Sequence, residues 1–144
     1  MSQLLSGELF DILIGKISTT INRAILRAFA SENIEITTEQ WTVLASLSIK
    51  DEVTQQELCN ITLKDKPSMT RLIDKLEQRK LVIRLSDQPD RRVNIIKLTN
   101  EGKRIQDKAT LIVQNIATKT LSNITPEELD LSRNVLRKIM SNLK

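Results

Sequence analysis

The stretch "DKPSMTRLIDK", residues 65–75, sets two short hydroxyls, Ser68 and Thr70, beside Arg71, with Lys66 and Lys75 at either end. Within the same segment Met69, Leu72, Ile73 and Leu76 stand at i, i+3, i+4 and i+7, which predicts a helix with one buried face. The hydroxyls and cations are left on its remaining surface, with Lys66 and Pro67 in the first turn behind a cap at Asp65. Short donors and a guanidinium near a helix N-terminus suit hydrogen bonds to base edges and phosphate oxygens in a major groove. A solvated amphipathic helix shows the same pattern, so the neighbouring segments must decide.

The segment "SDQPDRRVNIIKLTNEG", residues 86–102, changes the balance. The runs "LVIRLSD" and "VNIIKLT" are rich in β-branched residues and alternate in part, at Ile83 and Leu85 and at Ile96 and Leu98, so they read as a hairpin. Its tip, Gln88, Pro89 and Asp90, carries Arg91 and Arg92. Arginine is a common reader of the narrow, electronegative minor groove. A charged tip can also serve only to protect a strand edge from association.

Other chemistries are poorly served. The chain has no histidine, which removes the commonest general base, the usual ligands of catalytic zinc and every nucleophile–histidine pair. No two carboxylates pair in an evident apolar cleft, so neither an enzyme nor a metal or cofactor site is expected. One cysteine, Cys59, allows no internal disulfide and agrees with a reducing compartment. It lies between Leu58 and Ile61 and is expected to be buried and inert, since a redox sensor needs an exposed, low-pKa thiolate. No apolar run approaches membrane-spanning length, and "MSQLLSGELF" lacks the pattern of a signal peptide, so a cytoplasmic protein is expected.

The elements that hold these residues are legible from their boundaries. Thr37 precedes Gln40, Thr54 precedes Glu57 and Thr125 precedes Glu128, each by three, as capping boxes require. Apolar residues spaced like hydrophobic staples bracket each box: Ile36 with Trp41, Val53 with Leu58 and Ile124 with Leu129. Helices are predicted over about 8–30, 38–49, 55–62, 66–79, 100–121 and 126–143. The first carries a wide apolar stripe over roughly 33 Å, so part of it is expected to pack on another subunit. The aromatic residues Phe10, Phe29 and Trp41 are expected in the core.

With 144 residues, one domain is expected, mainly α with a small β-hairpin. Charge is uneven along it. From Lys64 to Arg104 there are twelve Lys and Arg against six Asp and Glu, while the rest carries ten against twelve. A basic middle points to a polyanionic partner, because neutralising phosphates releases counterions.

A short helix from Thr54, the turn "TLKD", a second helix and a hairpin form the layout of a winged helix-turn-helix. With "ITTEQWTVLASL", "TQQELCNITLKDKPSMTRLIDKLEQRKLVIR" and "PDRRVNIIKLTNEGK", the chain resembles the multiple antibiotic resistance regulator (MarR) family over essentially its whole length. The resemblance implies a homodimer on double-stranded DNA at a pseudo-palindromic operator. Residues about 1–35 and 105–144 would be dimerisation helices, about 36–104 a DNA-binding lobe, and about 82–99 its wing. It assigns base-edge readout to Ser68, Thr70 and Arg71, phosphate contacts to Thr54, its neighbour Gln55 and Lys66 with Pro67, and minor-groove insertion to Arg92. Asp90 would hold Arg92, with Arg91 the second contact. The implied function is a transcriptional regulator, read as a repressor relieved by a small-molecule effector, a phenolic being the class the family suggests. A winged-helix module that binds proteins and no longer binds DNA is the alternative. Many relatives carry a glycine between the two helices; "ITLKD" has none, so its turn is expected to be longer or bent differently.

Overall fold

The computed structural model describes residues 7–86 and 93–144. In chain order these form α1 (Glu8–Asp11), a π-helical turn (Ile12–Lys16), α2 (Ile17–Ser31), α3 (Thr38–Ile49) and β1 (Val53–Thr54). There follow α4 (Gln55–Thr62), α5 (Lys66–Gln78), β2 (Val82–Ser86), β3 (Asn94–Leu98), α6 (Asn100–Thr120) and α7 (Pro126–Asn142). The protein is mainly helical with a small antiparallel sheet, as the sequence predicts.

All three capping boxes form. The Thr37 hydroxyl accepts from the Gln40 amide at 3.0 Å, and the Gln40 side chain accepts in return from the Thr37 amide at 3.0 Å. This exchange explains how Gln40 is buried without an unpaired polar atom. The boxes at Thr54 with Glu57 and Thr125 with Glu128 repeat it. Each satisfies free amides of a first turn locally, which is why the helix starts are set by four residues.

The single helix expected over 8–30 is interrupted. Five residues, Ile12–Lys16, widen into a π-helical turn, and the Gly15 backbone leaves helical geometry. Glycine resists such a departure least, and kinks concentrate at glycines and π turns. Beyond it, Ser18 and Thr20 donate to the carbonyls of Gly15 and Lys16 at 3.1 and 2.8 Å. Phe10, ahead of the kink, is 48% exposed within the chain and does not join the core, because α1 buries no residue. Phe29 is fully buried as expected, and Trp41 is partly buried with its indole N–H donating to the Thr110 hydroxyl at 3.1 Å.

The core lies beneath the helix-turn-helix. Ile25 and Phe29 of α2 meet Val43, Leu44 and Leu47 of α3, Leu58 of α4, Met69, Ile73 and Leu76 of α5, and Val82, Ile96 and Leu98 of the sheet. Complete burial of such a side chain stabilises by about 1.5–3 kcal/mol, so α5 is anchored by its apolar face.

The sheet has three strands in the order β1-β3-β2, one more than the expected hairpin. β1 is only two residues long and ends in the Thr54 cap, too short for an alternation to register. It pairs Val53 with Ile96 and Thr54 with Ile95. Between β2 and β3 the register sets Val82 opposite Leu98 and Arg84 opposite Ile96. Opposed residues share a sheet face, so Val82, Arg84, Ile96 and Leu98 face inward. Ile83 and Leu85, the apolar positions whose alternation predicts the strand, point outward and are 41% and 39% exposed.

The Thr99 hydroxyl caps α6, accepting from the Gly102 amide at 2.9 Å and donating to the Lys80 carbonyl at 2.7 Å. This fold-back brings Gly102 against the Leu81 backbone, where a Cβ would collide with the carbonyl oxygen. At the far end of the chain, α7 buries no residue and exposes Leu131, Val135, Leu136 and Met140. Among the described residues no helix is long and apolar enough to cross a membrane.

Candidate nucleic-acid interface

Helices α4 and α5 are joined by three residues, Leu63, Lys64 and Asp65. Without a glycine, the turn is made by Leu63 itself, which adopts the left-handed conformation at φ 55° and ψ 34° while its side chain stays 84% exposed. The Lys64 amide then donates to the Cys59 carbonyl at 3.2 Å, and the Lys64 ammonium pairs with Glu39 of α3 at 3.2 Å. A leucine therefore occupies a left-handed conformation that favours glycine.

Asp65 caps α5 as predicted, its carboxylate accepting from the Ser68 amide at 2.7 Å. That amide, then the Ser68 hydroxyl, and the charges of Arg71 and Lys64 hold the Asp65 carboxyl below the usual carboxylate range. The charged cap favours the helix dipole at the end where the first-turn cations sit.

Three faces run along α5. Met69, Ile73 and Leu76 are buried, with Leu72 packed partly against the core. On one flank Ser68 is half-buried, while Arg71 and Lys75 are exposed, as are Lys66 and Pro67 in the first turn. Among the described residues the Arg71 guanidinium reaches only the Ser68 hydroxyl, at 3.4 Å. None of Lys66, Arg71 and Lys75 pairs with a carboxylate among the described residues.

Thr70 belongs to the opposite flank. Its hydroxyl accepts from the Gln55 side-chain amide at 2.7 Å and donates to the Lys66 carbonyl at 2.9 Å. Asp74 and Glu77, four and seven residues on, continue this flank toward β2, where both accept from the Arg84 guanidinium, at 2.6 and 2.9 Å. Between α4, α5 and the strands lies an open cleft of about 720 Å³, lined by Gln55, Cys59, Lys66, Thr70, Asp74 and Arg84 among others. Cys59 is a buried free thiol, as expected. Thr54 and Gln55 stand at the start of α4, the Thr54 hydroxyl engaged as a cap acceptor from Glu57 at 3.1 Å.

The expected recognition-helix residues thus lie on one helix but on two flanks, and Gln55 is tied to one of them. The wing-tip residues Gln88, Pro89, Asp90, Arg91 and Arg92 lie outside the described residues. Sequence reading missed Arg84, Asp74 and Glu77. The available signal was that Arg84 is in phase with Val82 on β2, and that Thr70, Asp74 and Glu77 share the i, i+4, i+7 spacing.

Residues 34–93, from the approach to α3 to the residue before β3, match the model of the MarR family. The fold likeness extends across the chain: the DNA complex of S. aureus MepR superposes with a TM-score of 0.87 at 26% identity, covering 94% of this chain and 98% of MepR. The chain is similar to the MarR family in this span and in its fold. A mutant E. coli MarR complexed with operator DNA is also similar, with a TM-score of 0.82 at 26% identity over 92% of this chain and 94% of that one. In sequence, the transcriptional regulator HosA of Escherichia coli O157:H7 is 27% identical over 107 residues, 74% of this chain and 79% of HosA. The likeness is to transcriptional regulators with a winged-helix DNA-binding fold. The chain's two HTH helices and β2 fall within the matched span, while α1, α2, β3, α6 and α7 fall outside it.

Proposed function

We propose that this protein is a homodimeric, sequence-specific repressor of the MarR family that docks α5 in the major groove of a pseudo-palindromic operator. The observation that carries the reading is the flank of α5 that presents Ser68, Arg71 and Lys75, its cations unpaired with carboxylates among the described residues, on a helix whose opposite face is locked in the core, while Lys66 is exposed in the first turn on the cleft side. Arg71 and Ser68 read base edges, Lys66 and Lys75 meet phosphates, and Pro67 packs on the backbone at the helix start. Thr54 and Gln55 present the α4 N-terminus to a phosphate, and Thr70 keeps α4 and α5 at the reading angle. In the wing, Arg92 enters the minor groove, held by Asp90, with Arg91 on the adjacent phosphate.

Dimerisation falls to residues about 1–35 and 105–144, flanking a DNA-binding lobe over about 36–104. The support is α7, a 17-residue helix that buries nothing within its own chain while exposing Leu131, Val135, Leu136 and Met140. Amphipathic helices gain most of their stability from packing that face. A small-molecule effector, a phenolic in the first instance, releases DNA by favouring dimers whose lobes no longer match the half-site spacing.

The test is binding to duplexes selected from a random pool by the purified protein, over a range of salt. A selected palindrome with half-sites about one helical turn apart, a steeply negative log-salt slope and loss of binding in Arg71→Ala and Arg92→Ala while sedimentation still reports a dimer support the reading. A flat salt response or no selected sequence points instead to a protein-interaction module.

A further inference from the structure

We propose that Arg84 is a positioning residue that clasps the wing to the reading helix and keeps Arg71 available to DNA, without touching DNA itself. The inference rests on the reading of α5 given above.

Arg84 occupies an inward-facing position of β2, opposite Ile96 and in phase with Val82, where an aliphatic residue would continue the core. Its side chain is 20% exposed. One guanidinium nitrogen donates to Glu77 Oε1 at 2.9 Å, and the other to Asp74 Oδ1 at 2.6 Å and to the Thr70 carbonyl at 3.4 Å. The Arg84 backbone amide donates to Glu77 Oε2 at 3.2 Å, so Glu77 grips main chain and side chain of the same residue. Every acceptor belongs to one flank of α5. A planar fork can satisfy them together, whereas a single ammonium cannot.

Asp74 and Glu77 are the only carboxylates of α5. Asp74 lies three residues from Arg71, a spacing at which helix ion pairs form. Yet Asp74 bonds Arg84, and among the described residues Arg71 reaches only Ser68. Arg84 thereby draws the acidic residues to the wing side and leaves the cations of the other flank without a carboxylate partner among the described residues. Removing it frees Asp74 to take the Arg71 guanidinium, leaves Glu77 unneutralised beside phosphates, and unties β2 from α5.

The experiment is a mutant cycle on the full-length protein. Arg84→Gln is made in the parent and in an Asp74→Asn/Glu77→Gln background, and both are measured against duplexes selected from a random pool by the parent. A loss of about tenfold or more in the parent, falling to about twofold or less in the carboxylate-free background, is expected. Equal losses in both backgrounds would mean direct contact of Arg84 with DNA, and no loss in the parent would remove any role; either overturns the proposal. A second arm uses no DNA: the Arg71 Nε–Hε resonance is expected to move in Arg84→Gln and to return in the carboxylate-free background. An unmoved resonance overturns the proposal, and this arm decides it even where the parent selects no duplex and the DNA reading itself fails. Should Arg84→Gln not fold in the parent, Arg84→Lys carries both arms, its ammonium unable to span both carboxylates.

Discussion

The side-chain amide of Gln55, first residue of α4, donates to the hydroxyl of Thr70 on α5 at 2.7 Å, and the same hydroxyl donates to the Lys66 carbonyl at 2.9 Å. Its hydrogen and a lone pair are both engaged inside the helix-turn-helix. Thr70→Val keeps the shape and removes both bonds, so unfolding stability in urea is expected to fall by about 1 kcal/mol. The sequence preference of the selected duplexes is expected to persist in this variant and to relax in Arg71→Ala. A preference altered equally by both would return Thr70 to base readout.

Leu63 holds a left-handed conformation that costs an L-residue about 1–2 kcal/mol. It hides little of its side chain in return. Leu63→Gly is therefore expected to raise the urea midpoint by the equivalent of about 0.5–1 kcal/mol, part of the relief being offset by the greater freedom of glycine in the unfolded chain. A destabilised variant would show that the exposed leucine makes a contact elsewhere, as in a dimer.

Gly102 sits where a Cβ would meet the Leu81 carbonyl oxygen and crowd the Leu98 side chain. The obstacle is backbone, which cannot rotate aside. Gly102→Ala is expected to lower stability by about 1–3 kcal/mol or more and to loosen the joint between the wing and α6. Thermal melting of the variant beside a control alanine on the exposed face of α6 measures the effect.

The Asp65 carboxyl is held below the usual carboxylate range, first by the Ser68 amide and then by the Ser68 hydroxyl. A group whose folded pKa is depressed contributes stability above its unfolded pKa and loses that contribution as pH falls through the folded one. The start of α5 is thus expected to stay capped near neutral pH and to fray only below the ordinary carboxylate range. A Ser68 amide resonance that follows this titration in the parent, and stays pH-independent in Asp65→Asn, is the expected result.

How much of the interface could be read in advance depended on the range of the interactions involved. The cap at Asp65 and the boxes at Thr37, Thr54 and Thr125 join residues three apart, and each is found where its spacing places it. The apolar face of α5 was legible for the same reason. β2 misled because Ile83 and Leu85 mimic a buried alternation, while the inward phase holds a charged residue whose partners lie on another element. β1 was too short to carry a pattern, and it is secured from afar: Asp51 beside it accepts from the Leu98 amide at 3.0 Å.

Taken alone, the sequence determined the helix starts, the helix-turn-helix with its wing strands and the resemblance to the MarR family, because caps, helical periodicity and turn residues act within a few positions of the chain. Only the tertiary structure decided that Thr70 braces α4 while Arg71 faces outward, that Leu63 makes the left-handed turn, and that Arg84 draws Asp74 and Glu77 toward the wing. Each of those outcomes depends on which polar groups meet when separate elements pack, and a charge finds its partner by distance in space.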